Sequence, residues 1–285
     1  MKKYSESQDR NRNVILVPVD FSRVTENAVV HGLELARLLR YRVCLLHVMA
    51  DNTGKTQAND ASSLQNRLGA LQEYKERYEP EFAVKIDTMI RAGNLFKVFN
   101  AAVSELRPKL MVMGTHGKQG LQHLFGSHAL RVVLDARCPL LIVQDRPFGF
   151  GASRIVLPIN SEADPFLLKD WLLLFCKMFN PEMHLYQSVE EQPERISLVK
   201  SQTSQIAGIL KAKKVAHIIA GADSPNDFPD QLLRYMDSIN PDLIMAMAHS
   251  SADKAGFNVS EWYERLMFNP GQIPVLFVRQ TDLTR

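Results

Sequence analysis

Val14 to Asp20 reads VILVPVD, and 140 residues later Arg154 to Asn160 reads RIVLPIN, so that Pro18 aligns with Pro158. Two further pairs recur in the same order. RPKLMVMGTHG from Arg107 resembles NPDLIMAMAHS from Asn240, aligning Pro108 with Pro241 at an offset of 133, and CPLLIVQ from Cys138 matches IPVLFVR from Ile273 at an offset of 135. Offsets that drift by only a few residues are what loop insertions leave in a tandem duplication. The join is expected in PFGFGAS, Pro147 to Ser153, giving two units, 1–146 and 147–285. A chain of 285 residues has room for two such units, each with its own core.

Within the first unit, NVILVPVD, RVCLLHV, FAVKIDTMI, KLMVM and PLLIVQ read as strands. Between them come a helix with Thr25 as its expected N-cap, a long polar loop (ADNTGKTQANDASS, residues 50–63), a helix marked by Leu64, Leu68, Leu71, Tyr74 and Tyr78, a helix from Leu95 to Leu106 and a helix from Ser127 to Ala136. Apolar strands alternating with helices predict an α/β fold: two tandem, doubly wound, five-stranded parallel-sheet units with helices on both faces.

Composition narrows the function. Hydrophobic residues make up 46% and charged residues 23%, the balance of a globular protein without low-complexity tracts. The net charge of +3 is spread along the chain, with no basic block beyond Lys211, Lys213 and Lys214, which is too little for a nucleic-acid binder. Cys44, Cys138 and Cys176 lie far apart in apolar runs and read as buried thiols of a reducing compartment. The polar start MKKYSESQDRNRN has no apolar region behind it, and no apolar stretch reaches membrane-spanning length; the expectation is a cytoplasmic protein with no membrane partner.

The chemistry concentrates in MGTHGKQGLQHLFGSHALRVV, Met113 to Val133. Four glycines fall just after a strand and just before a helix. In open parallel sheets, ligands bind beyond the carboxyl ends of the strands where the strand order reverses, and the fourth strand ends there. Gly114 and Gly117 would let backbone N–H groups approach a ligand, and Gly126 and Ser127 would open a helix whose N-terminus favours phosphate.

VPVDFS after the first strand, LLHV in the second, and MGTHG followed by GS before a helix closely resemble the universal stress protein family, over residues 14–144 almost fully and more weakly in the second unit. The resemblance implies a Rossmann-like fold of the adenine nucleotide alpha hydrolase type. It implies ATP as ligand, with or without Mg2+, or another adenine nucleotide. The adenosine portion would lie against Pro18, Asp20 and Val48, and the ribose and phosphates among Met113, Gly114, His116, Gly117, Gly126 and Ser127. Two departures stand out. Gly117 and Gly126 enclose eight residues where the family usually has nine, and His128 and Ala129 follow Ser127 where ATP-binding members often place another small hydroxyl residue.

The second unit departs further: Asp20, Val48 and Gly114 are matched by Asn160, Ser188 and Met247, and no Gly-Ser pair follows. It reads as a degenerate copy. Single-unit members commonly dimerise through the last strand, so PLLIVQ and PVLFVR are expected to pair within one chain, with a further homodimer and an unidentified protein partner open. Other motifs fail. NTGKT has Met49 where a P-loop needs its first glycine, and His116, His123 and His128 match no zinc spacing. No paired carboxylates surround the glycine loop to hold a phosphoryl-transfer metal, so no catalytic residue is nominated, and any hydrolysis or autophosphorylation would be very slow. Two functional readings result: a nucleotide-responsive stress regulator, or a nucleotide-free dimerisation and interaction scaffold.

Overall fold

The computed structural model describes residues 13–49, 57–115, 138–149, 151–248 and 259–279. Ten strands form one sheet: β1 (Val14–Pro18), β2 (Arg42–Met49), β3 (Ile86–Ala92), β4 (Leu110–Gly114), β5 (Leu140–Val143), β6 (Arg154–Ile159), β7 (Glu182–Gln187), β8 (His217–Gly221), β9 (Leu243–Ala248) and β10 (Val275–Arg279). Their order is β3-β2-β1-β4-β5-β10-β9-β6-β7-β8. Every neighbouring pair is parallel except β5 with β10. The sheet is thus two five-stranded halves with the same internal order, joined back to back at one antiparallel seam.

Strand registers relate the halves residue by residue. Ile15 pairs with Val43 and Leu110, and Ile155 with Met183 and Leu243; Met111 pairs with Leu140, and Ile244 with Val275. The offsets are 140 for β1 and β2, 133 for β4 and 135 for β5, the values that the prolines give. At the seam Leu141 faces Leu276, its own counterpart, flanked by Ile142 with Val275 and Leu140 with Phe277. A local two-fold axis therefore passes between Leu141 and Leu276.

The helices described are α1 (Arg23–Leu39), α2 (Gln57–Phe82), α3 (Leu95–Leu106), α4 (Lys169–Phe179), α5 (Pro193–Ala212), α6 (Phe228–Ile239) and α7 (Val259–Met267), with a 3-10 turn, Pro165–Leu168, before α4. Alternate strand residues enter two cores. Ile15, Val17, Leu45 and Leu276 pack with α1, α2, α4 and α5 on one face. Leu16, Leu46, Met111 and Phe277 pack with α3, α6 and α7 on the other. Both cores run across the seam without a break, which is why strands such as VILVP are buried at every position rather than at every second one.

Two local expectations change. Ser22, not Thr25, caps α1: its side chain accepts from the Thr25 N–H, while the Thr25 hydroxyl is drawn to Asp20. Helix α2 begins at Gln57, inside the stretch read as loop. From Gln57 to Asn66 the sequence has neither Gly nor Pro to stop a helix, and its polarity hid the period. The expected helix from Ser127 to Ala136 lies outside the described residues.

Candidate functional site

The first half opens between β1 and β4. β1 pairs with β2 from Val14 to Pro18 but with β4 only through Ile15 and Leu16, while β4 continues to Gly114 beside β5. The chain goes outward from β1 to β2 and returns on the other side as β4, so the strand order reverses at this split. The carboxyl ends of β1, β2 and β4, with Pro18, Asp20, Val48, Met113 and Gly114, converge on one mouth. His116, Gly117, Gly126, Ser127, His128 and Ala129 lie outside the described residues.

On leaving β1 the backbone turns sharply. Phe21 takes a φ of 68°, a left-handed conformation uncommon outside glycine. It is held by ring contacts with His47 (4.8 Å) and Tyr74 (5.9 Å), and the Arg67 guanidinium lies 5.6 Å from its centroid. Asp20 Oδ1 accepts from the Ser22 N–H at 2.9 Å and from the Thr25 hydroxyl at 2.7 Å. These bonds fix the carboxylate at the start of α1, on the side where a helix N-terminus attracts negative charge.

On β2 the backbone alternates its hydrogen bonds between neighbours. The Leu46 carbonyl accepts from Val19 N–H on the β1 side, and the Met49 carbonyl accepts from Gly93 N–H on the β3 side. By that alternation Val48 turns its N–H and carbonyl toward β1, beyond the last ladder pair, Pro18 with Leu46. The partner such an amide would take is the Val19 carbonyl. That oxygen instead accepts from His47 Nδ1 at 2.8 Å. The counterpart in the second half is closed, because Ser188 N–H donates to the Ile159 carbonyl at 2.9 Å. His47 therefore occupies one backbone acceptor and leaves the Val48 amide facing the crevice. Burial also lowers the pKa of His47, with the Arg67 charge acting the same way and the Val19 bond and Asp20 opposing. The ring is neutral near pH 7, with its proton on Nδ1 as donor to the Val19 carbonyl.

At the end of β4, Gly114 has a different reason from the one its sequence suggests. Its φ is not in the left-handed region; a Cβ there would lie 2.6 Å from the Val24 carbonyl oxygen and 2.9 Å from Val24 Cγ1. Glycine lets the first turn of α1 press on the end of β4. The next residue, Thr115, donates its N–H to the Val143 carbonyl at 2.9 Å, while its fully buried hydroxyl has no hydrogen-bond partner among the described residues. A buried polar atom without a partner costs about 1–3 kcal/mol and calls for an explanation. The sequence singles out Gly114 and His116 on either side of Thr115, but not Thr115 itself.

The same position in the second half is filled. Met247 stands where Gly114 stands, 8% exposed, and with Pro158, Asn160, Ala163, Ala246 and Trp262 it surrounds a space of only about 20 Å³. Asn160 Oδ1 accepts from Glu162 N–H at 3.1 Å, repeating the Asp20 turn without its charge. Beside it Glu190 accepts from Ser161 N–H and the Ser188 hydroxyl, and Glu162 and Glu190 share Arg195.

A doubly wound α/β sheet built of two halves, each with a strand-order switch point, defines the fold class. The Universal stress protein family model matches residues 11–144. Over 138 residues the chain is 30% identical to a universal stress protein of Methanocaldococcus jannaschii, covering 46% of this chain and 81% of that protein. The chain belongs to the universal stress protein family. Among solved structures, a universal stress protein from Archaeoglobus fulgidus is similar across 94% of this chain and 99% of its own, at 14% identity and a TM-score of 0.72. A putative universal stress protein from Pseudomonas aeruginosa is similar over 95% and 94%, at 11% identity and a TM-score of 0.56. At such identities the likeness is one of fold. No helix among the described residues is long and apolar enough to cross a membrane.

Proposed function

We propose that this protein is an adenine-nucleotide-binding stress regulator: residues 1–146 form a unit that takes ATP, with or without Mg2+, and residues 147–285 form a degenerate unit that serves as its built-in partner. The observation that carries this reading is the contrast at matched register positions. The first half presents an amide at Val48 and a small residue at Gly114, where the second presents a satisfied amide at Ser188 and the side chain of Met247. Pro18, Asp20 and Val48 would receive the adenosine end. Met113, Gly114 and Thr115 would border the phosphates together with His116, Gly117, Gly126, Ser127, His128 and Ala129. The residues fit such a ligand in kind: a strand-edge amide suits a purine edge, and the orphaned Thr115 hydroxyl needs a polar partner.

β4 lies directly beside β5, and β5 is the seam strand. A ligand that loads the end of β4 therefore acts one strand away from the second half, a short route for signalling to a protein partner. The three cysteines are buried, and burial pushes Cys44 and Cys176 up to about 11, as suits inert thiols in a reducing compartment.

Calorimetric titration of the purified chain with ATP, with and without Mg2+, tests the reading. Saturable binding is expected, lost in Gly126→Val and weakened in Asp20→Ala. No heat and no thermal shift at millimolar ATP in the unmodified protein would reject it in favour of the nucleotide-free scaffold.

A further inference from the structure

Where the halves meet, α1 and α4 are counterparts at an offset of 140, and between them lies a cavity of about 90 Å³. Leu35 and Leu141 come from the first half, Phe175 and Phe179 from the second, and Phe148 from the segment that joins them. Neither half encloses this space alone. The joining segment is pinned at both ends. Asn27 Nδ2 donates to the Gln144 and Arg146 carbonyls at 2.6 and 2.8 Å, and Asp242 Oδ2 accepts from the Ser153 and Arg154 amides at 2.7 and 3.0 Å. Gly151, at φ +124°, passes so close to Phe179 that a Cβ would meet its ring at 2.7 Å.

One buried ring in the wall, His31, keeps an acceptor that no described protein group engages. His31 is 2% exposed, and its Nδ1 donates to the Asn27 carbonyl of its own helix at 2.9 Å. That bond fixes the tautomer, so Nε2 carries a lone pair at the tip of the ring turned away from the helix backbone. Nε2 has no partner among the described residues, while the Phe148 ring stands edge-on to the imidazole at 5.2 Å and 84°. Burial holds His31 down to about 4, so the ring stays a neutral acceptor across the physiological range. At the rim Arg146 is paired with Asp242 at 3.4 Å and donates to Asn240 Oδ1 at 3.1 Å, which leaves no unmatched charge to attract an ion.

We infer that this cavity between α1 and α4 is a second ligand site, shaped for a small neutral aromatic molecule that carries one hydrogen-bond donor, with the donor meeting His31 Nε2. The space is several times the ~10–15 Å³ that one water needs, and three phenylalanine rings and three leucines are among its walls, which favours a flat apolar body over a water cluster. His31 Nε2, the acceptor that Arg146 and the backbone amides leave open while they engage Asp242, selects a hydroxylated ring over its methylated ether. The site is separate from the nucleotide crevice, which lies beyond the carboxyl ends of β1, β2 and β4.

Phenol and anisole serve as probes, titrated into the full-length protein by calorimetry and followed by amide and methyl NMR shifts. Phenol is expected to bind the unmodified chain, to perturb Leu35 and Leu141, and to bind equally with ATP present. In His31→Phe, which keeps an aromatic ring of similar size, the phenol-to-anisole affinity ratio should fall about tenfold, equivalent to about 1.4 kcal/mol. Should that variant fold poorly, the unmodified protein decides alone through the shift map and the ATP competition. Absence of phenol binding at millimolar concentration, an unchanged ratio in the folded variant, or shifts confined to residues 113–115 and abolished by ATP would each overturn the inference.

Discussion

Gly114→Ala tests the account of the β4 terminus most directly. The added Cβ would stand 2.6 Å from the Val24 carbonyl oxygen, 2.9 Å from its carbon and 2.9 Å from Cγ1. Two of these three atoms are backbone in the first turn of α1, so no rotamer change relieves the clash. The helix is anchored by the Ser22 cap and by Ala28, Val29 and Leu33 in the core, so relief requires moving α1 or the end of β4. Overpacking a rigid site costs about 1–3 kcal/mol, and a backbone obstacle places this case at about 3. Over 285 residues the unfolding entropy is roughly 0.6 kcal/mol per kelvin, so Tm falls by about 5 °C if the sheet melts as one unit, and about twice that if the first half melts alone. Gly69→Ala is the control: it lies in α2 with nothing within 4 Å of its Cβ, and alanine there should stabilise by about 0.5–1 kcal/mol. Paired urea titrations and calorimetry measure both. A Gly114→Ala protein within 0.5 kcal/mol of the unmodified chain would refute the close approach of α1, and shifts of the same sign in both variants would refute the contrast.

Three further outcomes follow from polar groups with defined partners. His31, held down to about 4 in the fold, binds its proton near 6.5 when unfolded, so its contribution is intact above pH 6.5 and is lost as pH falls toward 4; His47 is lowered by burial in the same direction. Urea titrations from pH 7.5 to 4 should show a decline to which His31 contributes roughly 3 kcal/mol, and His31→Phe should flatten it by that amount; an identical slope would contradict the burial of this ring. Asn269 is 1% exposed, donates to the Leu266 and Ile273 carbonyls and accepts from Ile273 N–H at 2.8 Å, so Asn269→Ala should destabilise the turn into β10 by about 3 kcal/mol, read from the denaturation midpoint. Asp242→Ala frees the Ser153 and Arg154 amides from their shared acceptor, and limited proteolysis between residues 147 and 153 should quicken several-fold with little change in Tm.

Much of this was legible in the sequence because strands buried on both faces leave uninterrupted apolar runs, and runs bounded by proline can be aligned by eye. The offsets of 140, 133 and 135 are visible in the prolines and again in the strand registers. What escaped depends on contacts across the fold. In DFSRVT both Ser22 and Thr25 can cap a helix, and only the Asp20 carboxylate, by engaging Thr25, decides between them. Gly114 looks like a loop glycine until Val24, ninety residues earlier, comes to rest against it. The Val48 amide is available only because His47 folds back onto the Val19 carbonyl, a choice that HV against QS does not announce.

The comparison between the halves also explains why a plugged copy remains useful. The second half keeps the strand order and register of the first, yet it replaces the groups at its own crevice. What it retains is the apolar seam strand. Without β10, β5 would be an edge whose residues Leu140 to Val143 are now all buried, a flat hydrophobic template for pairing with any other chain. A covalently attached β10 removes that hazard at an effective concentration that no separate subunit needs to match. The seam depends on Leu141 meeting Leu276, Ile142 meeting Val275 and Leu140 meeting Phe277, contacts that do not involve the groups at either half's switch point. On the proposed function, one nucleotide site per chain is compatible with a sheet that needs two equal halves.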